Sequence, residues 1–258
     1  MMTAMTQYLF DLGNTRLKYA LLEEDGSVGK VVALAHDGER LPADWDATLP
    51  ARFEAAALTT VGSTALRTRL LDALTARCGR ISIARTVSRF GGLRIAYPQP
   101  ETLGADRFLA MLGALARGRL AHSMRPWLVV GIGTAITLDL IDADGLHRGG
   151  RIAPSPALMR EALHARAAQL PEHGGEVVAF ADNTLDALRS GCDGAALGLI
   201  REAIDAGSAL LGVRPQLLLH GGGVDVLTAP DVDGIDADAL RAPALVLEGL
   251  GVWARMPA

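Results

Sequence analysis

The residues best suited to chemistry come early. Asp11 and the run Gly13-Asn14-Thr15 lie between an apolar lead-in at residues 8–10 and an alternating pattern at 17–22. This reads as strand, turn, strand, with one carboxylate at the end of the first strand. Gly13 has no Cβ, so the backbone can come close to a bound group. Turn amides and the Thr15 hydroxyl can donate to phosphate oxygens. Asp11 offers the kind of oxygen that Mg²⁺ takes, directly or through water. Taken alone, an ordinary β-hairpin with a polar turn has the same pattern.

A second copy changes the reading. Val129-Val130-Gly131-Ile132-Gly133-Thr134-Ala135-Ile136-Thr137-Leu138-Asp139-Leu140 again has an apolar lead-in, a Gly-Thr turn and an alternating strand. The copies end alike, at Glu24-Asp25-Gly26 and Asp142-Ala143-Asp144-Gly145. One such hairpin in each half of the chain predicts a duplicated domain with a shared cleft and a phosphate-gripping turn on each wall.

Other elements must carry these turns. Residues 29–34 and 53–60 read as strands, 37–52 as a loop with a short helix, and 64–78 as a helix with Leu66, Leu70, Leu71 and Leu74 on one face. A strand starts at Ile81, and a loop at 90–103 carries Arg94 and Tyr97. Gly104-Ala105-Asp106-Arg107 opens an Ala- and Leu-rich helix running to about 117. Asp106, in its first turn, suits either a helix-dipole partner or a base. Residues 118–126 mark the boundary, giving halves 1–118 and 119–258.

In the second half, 149–154 reads as a turn into a helix at 156–170, and 171–182 as a loop. A long helical pattern from 183 to 211, with a break near Gly207, is capped by Asn183 or Thr184. Ala187, Gly191, Gly194, Ala195 and Gly198 share one of its faces, which predicts close approach of another helix of this chain or of a second subunit. Residues 216–219 form a buried strand. Gly221, Gly222 and Gly223 follow His220, and a glycine run there lets the backbone lie flat on a planar ligand such as adenine. The last helix covers 242–253.

Composition narrows the class. The 258 residues carry a formal net charge of -4, which argues against a non-specific nucleic-acid binder. Half the residues are hydrophobic but only 4% aromatic, so the core must be aliphatic. Cys78 and Cys192 lack metal-ligand spacing and read as free thiols. Six scattered histidines make a histidine metal site a poor fit. No run reaches membrane-span length and no signal peptide is seen, so the expected location is the cytoplasm, with residues 1–6 a disordered lead. The segment at 131–136 approaches a dinucleotide fingerprint, but a strand rather than a helix follows it. His220-Gly221-Gly222-Gly223 looks like a lipase oxyanion loop, yet no Gly-x-Ser-x-Gly occurs.

The ordered set Asp11-x-Gly13-Asn14-Thr15-Arg16-x-Lys18, Gly104-Ala105-Asp106-Arg107, Gly133-Thr134-Ala135 and Asn183-Thr184 resembles a type III pantothenate kinase, over nearly the whole chain. The resemblance implies an α/β fold of two duplicated ribonuclease H-like (actin-like ATPase) domains, with mixed sheets flanked by helices. It implies ATP-dependent phosphorylation of pantothenate, the entry step to coenzyme A, in a homodimer whose active site is completed across the interface. By the same resemblance residues 11–18 (Asp11, Leu12, Gly13, Asn14, Thr15, Arg16, Leu17, Lys18) with Gly133, Thr134, Gly221 and Gly222 hold the nucleotide, and Asp11 holds Mg²⁺. Asp106 is the catalytic base. Tyr97, Gly104, Ala105, Asp106, Arg107 and a partner's Thr184 bind pantothenate. One position departs: the family usually has an aspartate two residues before the second hairpin's glycine, where it helps bind K⁺ or NH₄⁺. Gly131 stands there, so the monovalent-cation requirement is expected to be weak or lost. A superfamily kinase with another small hydroxylated substrate and a non-catalytic nucleotide-binding homologue are the alternatives.

Overall fold

The structure, a computed structural model, describes residues 6–122, 125–224 and 238–256. The expected N-terminal lead lies almost wholly outside them. The chain forms two compact units. Unit 1 comprises residues 1–123 and 244–258; unit 2 comprises 124–243. The division therefore differs from two continuous halves, because the chain ends by returning a helix to unit 1.

Unit 1 is built on a five-stranded sheet of order β3-β2-β1-β4-β5. Its strands are β1 (Gln7–Leu12), β2 (Arg16–Leu22), β3 (Val32–Ala35), β4 (Phe53–Thr60) and β5 (Cys78–Ile83). β1 runs antiparallel to β2 and parallel to β4. Alternation along the strands splits the side chains between two faces. Phe10, Leu12, Leu17, Tyr19, Ala56 and Leu58 pack with Leu66, Leu70 and Leu74 of α1 (Thr64–Thr75). The opposite face presents Leu9, Asp11, Lys18, Ala20, Ala55, Ala57 and Thr59. Its alanines leave room for two helices, α2 (Ala105–Leu120) and α5 (Leu245–Arg255), to lie close to the sheet.

Those helices meet backbone to backbone. A β-carbon on Gly113 would lie 2.7 Å from the Leu245 carbonyl oxygen, and one on Gly249 would run into the Leu109 carbonyl. Alongside, Arg117 donates from Nε and Nη2 to both carboxylate oxygens of Glu248, at 2.6 and 2.7 Å. The paired geometry gives direction as well as charge complementarity. The final helix thus fixes α2, which carries the Gly104-Ala105-Asp106-Arg107 motif at its start.

Unit 2 repeats the topology. Its sheet has order β10-β9-β8-β11-β12, from β8 (Trp127–Ile132), β9 (Ala135–Ile141), β10 (His147–Pro154), β11 (Gln216–His220) and β12 (Leu240–Arg241). β8 is antiparallel to β9 and parallel to β11, as β1 is to β2 and β4. One face packs on α4 (Thr184–Leu211), and α3 (Pro156–Arg166) packs on α4 in turn.

Three details correct the sequence reading. Residues 149–154 are not a turn: they pair with β9 as the edge strand β10, where Gly and Pro are tolerated because one side of the ladder is open. α4 runs unbroken through Gly207, whose bare Cα packs against Leu140 and Pro215, and ends at Gly212 with φ 69°. The loop at 90–103 contains a two-stranded ribbon, β6 (Arg89–Phe90) with β7 (Leu93–Arg94), and a 3₁₀ turn at Pro100–Thr102.

Candidate functional site

The turn between β1 and β2 closes by the Gly13 amide donating to the Arg16 carbonyl at 3.0 Å. Neighbouring carbonyls are held by the protein. Leu12 O accepts from the amides of Val61 and Gly62, and Thr15 O from His36 N–H at 3.1 Å. Asn14, Thr15 and Arg16 are exposed, whereas Leu12 and Leu17 are fully buried in the core against α1. Of residues 11–18, those two therefore offer a ligand only their backbone.

Asp11 ends β1 on the face covered by α2 and α5. Its neighbours in register are Lys18 on β2 and Thr59 on β4. Burial pushes the Asp11 carboxyl up to about 7; the positive charge of Lys18 opposes that rise and the negative charge of Asp106 adds to it. Asp106, in the first turn of α2, is thus electrostatically coupled to Asp11. Thr59 is fully buried, and its hydroxyl has no hydrogen-bond partner among the described residues. A carboxylate whose charge is disfavoured by a second carboxylate, beside an unsatisfied hydroxyl, is a donor set that a hard divalent cation fits. Thr59 was not singled out from sequence; the signal for it is a polar pair, Thr59-Thr60, ending the apolar strand.

At the start of α2, Gly104 is the N-cap and has no side chain to offer the first-turn amides. Asp106 folds back over it instead, since a β-carbon at Gly104 would lie 2.6 Å from Asp106 Oδ1. A carboxylate there is favoured by the helix dipole. Arg107 beside it is 7% exposed. Tyr97, on the loop before the helix, is half-buried.

Unit 2 places its predicted residues in the matching spots. Gly133 N–H donates to Ala135 O at 2.9 Å, and Gly133 and Thr134 are exposed. Ser155 N–H donates to Thr134 O at 3.3 Å, as His36 does to Thr15. Gly223 N–H donates to Ile132 O at 2.9 Å, as Gly62 does to Leu12. Gly221 has φ 97°, and a side chain there would strike the Ile132 backbone. This intrachain contact is sufficient reason for a glycine at 221; Gly222 is the exposed member of the run. Gly131 takes the place in unit 2 that Asp11 has in unit 1. Its register neighbours are Thr137 and His220, and their Oγ1 and Nε2 would lie 2.7 and 2.8 Å from a β-carbon at 131. Thr184 is exposed at the first position of α4, behind the Asn183 cap that accepts from Asp186 N–H at 3.0 Å.

Among the described residues no cluster of three or more His, Cys, Asp or Glu could hold a metal by itself, and no helix is long and apolar enough to cross a membrane. Both cysteines carry free thiols.

Known proteins are similar to this chain over nearly its whole length. The chain is 48% identical over 250 residues to the type III pantothenate kinase of Stenotrophomonas maltophilia K279a, covering 97% of this chain and 98% of that one. It is equally similar to the enzyme of the same name from Xanthomonas axonopodis pv. citri strain 306, with the same coverage. In fold alone it is similar to a Sinorhizobium meliloti protein described as a 2-dehydro-3-deoxygalactonokinase, with TM-score 0.60 and 16% identity over 96% of this chain and 98% of that one. It is also similar to the ADPNP-bound activator of 2-hydroxyisocaproyl-CoA dehydratase from Clostridium difficile, with TM-score 0.53 and 11% identity over 97% and 94%. The expected fold, two mixed sheets flanked by helices as in actin-like ATPases, is the one observed. A family model for type III pantothenate kinases matches residues 8–206, and the chain belongs to that family.

Proposed function

We propose that this chain phosphorylates pantothenate with ATP, and that Asp106 is the group that accepts the hydroxyl proton. The observation that carries the residue assignment is the coupling of Asp106 to Asp11 on one face of the unit 1 sheet. Phosphoryl transfer asks mainly for positioning and charge neutralisation. Mg²⁺, when bound, supplies that neutralisation on the phosphate oxygens, with Asp11 as its carboxylate and Thr59 beside it. The turn at 13–15 holds phosphate through the amides of Asn14 and Thr15 and the Thr15 hydroxyl, with Lys18 close by in register. Gly133, Thr134, Gly221 and Gly222 are assigned to the nucleotide by resemblance. Asp106 takes the proton from the pantothenate hydroxyl as its oxygen bonds to the γ-phosphorus and the bond to ADP breaks. A carboxylate is a weak base, but the hydroxyl becomes acidic only as the new bond forms. Arg107 and Tyr97 are assigned to the pantothenate by resemblance.

The same reading gives a cytoplasmic homodimer in which the partner's Thr184 reaches the substrate. The glycine face of α4 supports a subunit contact: β-carbons at Gly191, Gly194 and Gly198 would meet no atom of the described residues within 4 Å. Beside it lies an apolar groove of about 690 Å³ lined by Leu158, Met159, Leu163 and Leu188. Gly131 supports a kinase without a monovalent-cation requirement.

The test is a coupled assay for 4'-phosphopantothenate formed from ATP and pantothenate, with Asp106→Asn alongside. The variant should fold normally and lose roughly 10²–10⁴ in kcat. A near-wild-type rate would remove Asp106 from this role, and no product from the wild-type protein would sink the whole reading.

A further inference from the structure

We propose that His36 is a positioning residue for the nucleotide: its ring locks the Gly13-Asn14-Thr15 turn in the shape that receives phosphate. The inference rests on the reading of that turn as the nucleotide grip.

His36 follows β3 and holds the turn at two points. Its backbone N–H donates to Thr15 O at 3.1 Å. Its ring Nε2 lies 3.1 Å from Gly13 O, and since a carbonyl can only accept, Nε2 carries the hydrogen. Nδ1 accepts from Gly38 N–H at 3.2 Å. Both ring contacts are satisfied together by one form, the neutral imidazole with its proton on Nε2. Gly38 is tied in turn to α1, because its carbonyl accepts from the Ser63 hydroxyl at 2.8 Å, and Ser63 is the α1 cap. From the other side Gly62 lies against the same Gly13 carbonyl, which a β-carbon at 62 would approach to 2.8 Å. Two loops distant in sequence, at 36–38 and 61–63, therefore converge on one carbonyl of the turn.

Unit 2 shows what is particular to this arrangement. Ser155 makes the backbone contact that His36 makes, but its hydroxyl accepts from Leu158 N–H to cap α3. In the first turn a side chain reaches the glycine carbonyl. Glycine gives a turn many accessible conformations, and an ångström of misplacement at a phosphate is costly to rate. Fixing the Gly13 peptide lowers the cost of ordering the turn when nucleotide binds.

The test compares wild type, His36→Ala and His36→Gln. Glutamine can donate from its amide nitrogen and accept at its amide oxygen, so it can bridge Gly13 and Gly38. Binding is measured directly by calorimetry with Mg²⁺ and a non-hydrolysable ATP analogue, alongside KM for ATP and for pantothenate and the melting temperature. The alanine variant should bind the analogue about fivefold to tenfold more weakly, the effect of one lost hydrogen bond. It should raise the ATP KM in step and leave the pantothenate KM unchanged. Glutamine should restore analogue binding to within about twofold of wild type. Unchanged binding in the alanine variant, failure of glutamine to restore it, equal rises in both KM values, or failure of the alanine variant to fold would each overturn the inference. Absence of binding by the wild type would instead remove the reading on which it rests.

Discussion

Asp106 Oδ1 occupies the space that a side chain at Gly104 would need, 2.6 Å from the position of a β-carbon there. The glycine two residues before the proposed base is therefore part of how the base is held. Gly104→Ala should displace the carboxylate while barely affecting the fold, because the displaced group is the free end of a side chain. The expected result is a melting temperature within a few degrees of wild type and a kcat reduced by about tenfold or more, given the sensitivity of rate to placement. Steady-state kinetics and a thermal melt on one preparation decide it; an unchanged kcat would show that Asp106 tolerates the move.

Asp11 makes the stability of the metal-free protein depend on pH. Burial raises its carboxyl from the ordinary 3.8 to about 7, against the pull of Lys18 and with help from Asp106. Between those values the folded protein keeps a proton that the unfolded chain has lost, so this group's contribution falls as pH rises through that window. Asp11→Asn removes the effect. Without Mg²⁺, the variant should lose less melting temperature than wild type between pH 5 and pH 8, and should be the more stable of the two at pH 8. Its turnover with Mg²⁺ and ATP should be lost. Parallel stability curves for the two proteins would contradict this.

The crossing of α2 and α5 leaves no room for a side chain at Gly249, where the obstacle is the Leu109 backbone. Backbone cannot rotate away as Asp106 can, so Gly249→Ala must push the helices apart. Overpacking of this kind costs about 1–3 kcal/mol, occasionally more. The loss should appear in a urea titration, with kcat also reduced because α2 carries Asp106. A variant as stable as wild type would mean that the helices separate freely.

The glycine face of α4 meets none of the described residues, so a bulky residue there should not affect the folding of one subunit. Gly194→Leu is expected to give a folded protein of monomeric mass by light scattering, where the proposed wild-type assembly is a dimer. If the partner supplies part of the pantothenate site, the monomer should also be inactive. A variant that remains dimeric would place the interface elsewhere.

Local features were the legible ones. Both hairpins announce themselves through a turn residue between alternating runs, and β4 falls at Phe53–Thr60 as the pattern predicts. Asn183 caps α4 because its side chain can replace a missing backbone acceptor. What depends on distant partners was not legible. Nothing in residues 245–255 says that they pack on α2, and nothing near His36 says that its ring reaches a carbonyl 23 residues away. Strand β10 reads as a turn because its glycines weaken a local strand signal that pairing with β9 overrides.

Position 131 carries the last prediction. The room beside its Cα is taken by Thr137 Oγ1 and His220 Nε2, at 2.7 and 2.8 Å from an ideal β-carbon. No carboxylate projects from this point of β8, and Thr137 and His220 fill the gap, so the carboxylate expected of an activating-cation site is missing here. Initial rates at fixed ionic strength should agree within about twofold whether the salt is potassium, ammonium, sodium or tetramethylammonium, since ionic strength then screens all four alike. Gly131→Asp would restore a carboxylate only by displacing His220 and Thr137, and it should lower the rate in tetramethylammonium more than in potassium. Stimulation of the wild-type enzyme by more than about tenfold in potassium over tetramethylammonium, a difference of about 1.4 kcal/mol, would mean that other groups of this chain hold the ion.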